Sequence, residues 1–264
     1  MTRARTLAGL AVLGAANALL RPMAAAWRDG APLTAVDPVV LLALGLGLWR
    51  TLRDDDGRPL RIVDGLAVVA GALVLLLPAS QTSWLGTGLA LAALAALGHG
   101  PRPIAAGPAI LIAACLRDPL TQAVMTLFAG PLLALDAELA GLAAHLAGLA
   151  VTVDGNVVIN ANGHRLFVMT GCSSFSDVAT GLLLWFALVR AFSSADQAVP
   201  WPHAAGLAMA IVAINLGRLA LMSQSPAWYV LVHDGAGGQA ASLLITAAAL
   251  AAALWSQNRA VARA

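Results

Sequence analysis

Long apolar runs separated by short polar breaks dominate this chain, and their lengths set the first expectation. The hydrocarbon core of a bilayer, about 30 Å thick, is crossed by about 20 apolar residues in a helix, and by fewer where flanking side chains snorkel or the membrane thins. By that measure the pattern predicts eight spans, over residues 6–20, 34–49, 62–79, 84–98, 103–116, 175–192, 203–222 and 239–256. One stretch breaks the helical period. Residues 151–170, VTVDGNVVINANGHRLFVMT, are rich in Val, Ile and Thr and alternate in polarity, as strands do. Within them Asp154-Gly155 and Asn162-Gly163 are tight-turn dipeptides, because Gly and Asn tolerate positive φ. An open strand edge is not viable in hydrocarbon, so this insert is expected above it or packed on protein.

The fold expected from the pattern is an all-α polytopic membrane protein of about eight transmembrane helices, with a small extracytoplasmic β-hairpin or meander ahead of Cys172. It is expected to be a single integral membrane domain over 1–264. Helices one to five occupy 1–116, outer interfacial helices and the β insert occupy 117–174, and helices six to eight occupy 175–264. Between 117 and 150 the chain is apolar but interrupted by Pro131, Asp136, Glu138 and His145, which predicts one or two helices lying in the outer interface. An additional span there would invert everything downstream.

Composition agrees with a lipid setting. Of 264 residues, 60% are hydrophobic and 11% are charged, against about 25% charged in ordinary soluble domains; mean hydropathy is +0.83. The formal net charge of +2 comes without any basic patch interleaved with aromatics, which sets nucleic acid aside as a partner. The start, MTRARTLAGLAVLGAANALL, has the basic head and apolar run of a signal peptide but no strong cleavage site, and is expected as a retained first helix. All basic side chains are arginine, and their distribution sets the orientation, since positive charge collects in cytoplasmic loops. The loop RTLRDDDGRPLR, with Arg50, Arg53, Arg58 and Arg61, belongs inside, together with Arg3 and Arg5. Counting through eight spans then puts Arg102, Arg190, Arg259 and Arg263 inside, and leaves Arg21, Arg28, Arg117, Arg165 and Arg218 outside. Both termini are therefore expected to be cytoplasmic in a bacterial cytoplasmic (inner) membrane, with 117–174 and 223–238 on the extracytoplasmic face.

Three residues on that face carry candidate chemistry. Cys172, in TGCSSFSD, precedes the sixth span at what should be the start of a helix, whose free N–H groups favour a thiolate. Its plain alternative is a small buried packing residue. Arg218 lies three positions after Asn215 on one face of the seventh span; an ionisable group there faces a partner or a cavity, or else snorkels. His233, followed by Asp234 and by Gly235, Gly237 and Gly238, falls in the last outer loop, where most histidines are inert and where the glycines leave room for a substrate. A thiolate, an imidazole and a guanidinium together form the kit of a cysteine transpeptidase or protease: nucleophile, proton carrier and oxyanion cation. No CxxC or Cys/His cluster has metal-ligand spacing, and no metal or cofactor is expected.

With DGNVV leading through LFVMTGCSS, then NLGRLALM and HDGAGG, residues 154–238 resemble the exosortase/archaeosortase family of multi-pass membrane transpeptidases. The resemblance makes 154–238 the catalytic core, with Cys172 as nucleophile, Arg218 as catalytic arginine and His233 as catalytic histidine. Asn215, Ser173, Asp177 and Asp234 would support them or contact substrate. It implies cleavage of a C-terminal sorting signal on exported proteins, made of a short motif, a hydrophobic helix and a basic tail, through a thioester. The cleaved protein then passes to an acceptor nucleophile, which the resemblance leaves open as amine, hydroxyl or water. The expected partners are such exported proteins, that acceptor and the lipid bilayer. Where family members often have Cys-Ser-Gly and then arginine, this chain has Cys172-Ser173-Ser174-Phe175-Ser176-Asp177. Asp177 either pairs with Arg218 or serves as an ordinary first-turn acid. Two other readings stand beside this one. In a small-solute transporter Arg218 would line a pathway, although no repeat relates the chain's halves. The other is a catalytically inactive assembly factor of the same fold. Cys115 is expected as packing, with a disulfide to Cys172, which would disable the nucleophile, as its lesser alternative, and His145 and His164 are expected as interface or turn residues.

Overall fold

The computed structural model describes residues 2–30, 37–75, 80–99, 104–193, 198–233 and 235–261. Its elements in chain order are α1 (Arg3–Arg28), α2 (Pro38–Arg53), α3 (Ile62–Leu75), α4 (Ser80–His99) and α5 (Ala106–Leu146). Strands β1 (Val151–Asp154), β2 (Val157–Asn160) and β3 (Arg165–Phe167) follow, then α6 (Ser174–Phe192), α7 (Trp201–Met222), α8 (Pro226–His233) and α9 (Ala236–Val261). Among the described residues five helices are long and apolar enough to cross a membrane: α1, α5, α6, α7 and the Ala236–Asn258 part of α9. That is consistent with an all-α membrane protein. The runs expected at 34–49, 62–79 and 84–98 form α2, α3 and α4, which do not meet that standard of length and hydropathy. Residues 34–36, 76–79 and 103 of the expected spans, and Arg102 and Arg263 of the arginine count, lie outside the described residues.

The stretch from 103 to 150 differs from expectation. The helix that begins at Ala106 runs past the expected end at 116 to a kink at Phe128, and a second helix continues from there to Leu146; the two together form α5. Its single non-helical residue is Phe128 (φ −127°, ψ 15°). Pro131 explains the position, since it removes the N–H that would bond the carbonyl four residues back and crowds that carbonyl. Pro131 thus sits just after the kink that divides α5 into two helices.

By internal packing the chain divides into two compact units. The first comprises Met1–Leu120, Leu183–Val199 and Ser256–Ala264. Its core joins Leu7, Leu10 and Ala11 of α1 to Val40 and Leu44 of α2, Leu91 and Leu94 of α4, and Ile110 and Leu111 of α5. Close approach of α1 to α4 requires Gly14, where a Cβ would stand 2.0 Å from Thr87 Oγ1. Charges inside this unit are paired. Arg3 Nη2 donates to Asp64 Oδ1 at 2.6 Å and to the Leu94 carbonyl at 2.7 Å, and the Arg61 N–H donates to Asp64 Oδ2 at 2.9 Å. Arg50 pairs with Asp54 at 2.8 Å and donates to the carbonyls of Ala191 and Ser193, where α6 runs out.

The second unit comprises Thr121–Leu182 and Pro200–Trp255. Its three strands make an antiparallel meander in the order β1-β2-β3, with Val153 opposite Val158 and Val158 opposite Leu166. Gly155 (φ 56°) and Gly163 (φ 81°) take the left-handed conformation at the two turns, which a side chain would disfavour. The inner face of the sheet, Val151, Val158 and Leu166, joins Val168 and the α5 residues Leu133, Ala137, Ala140 and Ala144 in one apolar cluster. Strand and helix meet closely at Gly141, where a Cβ would come within 2.5 Å of Val153 Cγ2. The turn between β2 and β3 docks on the end of α7: the Asn160 amide donates to the Gln224 carbonyl, and the His164 imidazole bonds the Met222 carbonyl at 3.2 Å.

Candidate functional site

All three candidate reactive residues belong to the second unit. After β3 the chain is pinned by the Val168 N–H to the Asn156 carbonyl and by Asn156 Nδ2 to the Val168 carbonyl, both 2.9 Å. Thr170–Cys172 then make one 3₁₀ turn, closed by the Cys172 N–H to the Met169 carbonyl at 2.8 Å, and α6 begins two residues later at Ser174. Cys172 is buried in the same apolar cluster as Leu219, Met222 and Val232. Both cysteines are free thiols.

The start of α6 is capped from within the unit. Ser173 Oγ accepts the Phe175 N–H at 3.2 Å and donates to Asp136 Oδ2 at 2.9 Å, while the Ser174 N–H donates to the same oxygen at 3.0 Å. These helix-end N–H groups therefore bond Asp136 and Ser173, which differs from the expectation that they favour the Cys172 thiolate. Asn215 is fully buried on α7, and its Nδ2 donates to the Cys172 carbonyl at 2.9 Å and to Ser174 Oγ at 3.0 Å. Its Oδ1 has no partner among the described residues.

Three residues along α7, Arg218 is half-buried, and among the described residues it forms neither a hydrogen bond nor an ion pair; its Nε is buried without a partner. The alternative pairing with Asp177 is therefore not made. Asp177 lies in the first turn of α6, where an acid complements the helix end. Asp234 lies outside the described residues.

His233 is the last residue of α8, in place of the expected loop. The signal was present as Ser225-Pro226: Ser225 Oγ accepts the Trp228 N–H at 3.2 Å and its carbonyl accepts the Tyr229 N–H at 2.9 Å, with proline at the first helical position. The imidazole stacks on Tyr229, with centroids 4.8 Å apart and planes at 11°. The glycines after it serve packing: a Cβ on Gly235 would come 2.8 Å from the Leu231 carbonyl oxygen, and one on Gly238 would come 2.8 Å from that of His233. They let α9 start directly against the end of α8.

Arg218 and His233 line one open pocket of about 570 Å³ with Gly235, Gly238, Gln239, Ser242 and Leu243. Cys172 is not among its lining residues; it shares the apolar cluster with Leu219 and Val232, the direct neighbours of Arg218 and His233. The pocket thus combines a guanidinium that has no partner among the described residues, an imidazole and the amide of Gln239, a set that can stabilise negative charge and move a proton. Among the described residues no three metal-ligating side chains converge. Comparisons with family models, with curated proteins and with solved structures find no match to this chain.

Proposed function

We propose that the chain is a membrane cysteine transpeptidase or peptidase of the exosortase/archaeosortase kind, cleaving C-terminal sorting signals of exported proteins. The observation that carries the reading is the pocket shared by Arg218 and His233, with the Cys172 turn tied by Asn215 to the helix that bears Arg218. In the proposed reaction the Cys172 thiolate forms an Sγ–C bond to the scissile carbonyl carbon, and the negative charge on its oxygen is met by Arg218. The C–N bond then breaks as the His233 imidazolium gives its proton to the leaving amine, which departs with the hydrophobic helix and basic tail. The resulting thioester is attacked by the acceptor nucleophile, which loses its proton to the imidazole as Sγ leaves as thiolate.

In this reading about eight spans place both termini in the cytoplasm and put the sheet, the Cys172 turn and the pocket on the extracytoplasmic face of a bacterial inner membrane. Residues 129–146 lie at the outer interface; they bury Leu133, Ala137, Ala140 and Ala144 and expose Leu135, Leu142 and Leu146, as an interfacial helix would. The decisive experiment replaces Cys172 with alanine in the native host at equal membrane abundance and examines exported proteins by mass spectrometry. Membrane-held proteins retaining their C-terminal tails only in the variant are expected. Identical tails in both strains would end the proposal and favour a transporter.

A further inference from the structure

Asp136 appears in the sequence as a polar interruption of an apolar run, yet it is only 7% exposed. A buried carboxylate is costly unless its oxygens are engaged. Here Oδ2 accepts both the Ser173 hydroxyl and the Ser174 N–H, joining α5 to the start of α6 across 37 sequence positions. A helix can begin on a serine cap alone, and Ser173 already caps Phe175. The carboxylate therefore adds something beyond starting α6: it fixes the residues immediately after Cys172 to a second helix. From the opposite direction Asn215 holds the Cys172 carbonyl and Ser174 Oγ. Ser174 is common to both grips, one through its N–H and the other through its hydroxyl.

We infer that Asp136 is a positioning residue: with Asn215 it clamps the Cys172 turn from two helices, so that the thiol keeps one place relative to the helix carrying Arg218. The consequence for catalysis rests on the cysteine-nucleophile reading above, whereas the clamp itself does not. The charge of Asp136 is not what the clamp uses. An asparagine side-chain oxygen accepts the same two bonds, and alanine accepts neither.

The test uses the full chain in native membranes and follows modification of Cys172 by methyl methanethiosulfonate, quantified on the Cys172 peptide by mass spectrometry. The buried thiol should be protected in the wild type and equally so in Asp136→Asn, while Asp136→Ala should react about tenfold faster, as loss of two buried hydrogen bonds opens the turn. Ser173→Ala, which removes one donor to the carboxylate together with the cap on the Phe175 N–H and keeps the Ser174 N–H bond to Asp136, should fall between them and serves where Asp136→Ala fails to accumulate. Protection unchanged in Asp136→Ala, or in Ser173→Ala where that variant stands in, overturns the clamp, as does exposure in Asp136→Asn equal to that in Asp136→Ala. With the substrate identified by the Cys172→Ala comparison, Asp136→Ala should lower kcat with KM unchanged, and Asp136→Asn should restore it. If thiol protection behaves as expected but Cys172→Ala leaves every exported tail unchanged, the clamp stands and the transpeptidase reading falls.

Discussion

In the first unit Arg3 is 8% exposed and spends its charge on Asp64 at 2.6 Å and on the Leu94 carbonyl. In the second, Arg218 is half-buried with no such partner among the described residues, and faces an open pocket with His233. Both are guanidiniums set into helical packing, where an uncompensated charge costs several kcal/mol. The first is compensated internally and belongs to the architecture. Among the described residues the second has no such compensation, so the two guanidiniums differ: one is satisfied within the fold and the other is open to what enters the pocket.

The largest expected effect is on the compensated side. Asp64→Ala would strand a buried Arg3, a loss of about 3–5 kcal/mol, read as a lower melting temperature of the purified protein and lower membrane abundance. Replacing both partners by apolar residues, Arg3→Met with Asp64→Leu, should recover most of that loss. A single variant that melts like the wild type would show that the ion pair contributes nothing to the first unit, and the contrast with Arg218 would dissolve.

Arg218 should behave in the opposite way. With no partner to abandon among the described residues, Arg218→Gln should leave the melting temperature at or above the wild-type value. The processing proposed for the site should fall by about 100- to 1000-fold, as when one oxyanion donor is removed. The measurement is a paired one, thermal unfolding and the rate of tail removal on the same preparation. Loss of stability matching that of Asp64→Ala would mean that Arg218 is an architectural charge after all.

Much of this contrast could be anticipated from local patterns, and its missing parts share one cause. The alternation expected over 151–170, which forms strands as far as Phe167, and the Gly155 and Gly163 turns were legible because strands and tight turns are set by neighbours in sequence. The start of α6 next to Cys172, and the spacing of Asn215 and Arg218, were legible for the same reason. The Asp136 cap was not, because its partners lie 37 and 38 positions away and an acid within an apolar run reads first as a break. The run of the helix from Ala106 past 116 to the kink at Phe128 was hidden for a related reason: whether the polar pair Arg117-Asp118 and Pro119 end a helix depends on what its flanks bury. The helix ending at His233 was written in Ser225-Pro226 and was masked by the glycines beyond it, which resemble a loop while serving a close helix contact.

The smallest effect lies at the edge of the compensated unit and tests whether its pattern extends to water. Thr2 Oγ1 donates to Asp55 Oδ2 at 2.8 Å, the Gly57 N–H donates to Asp55 Oδ1 at 3.0 Å, and Arg5 stands 4.0 Å away. The Thr2 hydroxyl first, then the Gly57 N–H and the Arg5 charge, hold the Asp55 carboxyl below its ordinary value of 3.8. A carboxyl depressed in the folded state contributes stability above its unfolded value and loses that contribution as pH falls through the folded one. Thr2→Val removes the leading cause, so the folded value should rise toward the ordinary one and the acid-side contribution should shrink. Thr2 also caps α1 by accepting the Arg5 N–H, but loss of that bond shifts stability equally at every pH. The difference between variant and wild-type melting temperatures, followed from pH 6 down to about pH 3, therefore isolates the Asp55 contribution. A difference that narrows on acidification is the expected result, and one that stays constant would confine the role of Thr2 to the helix cap.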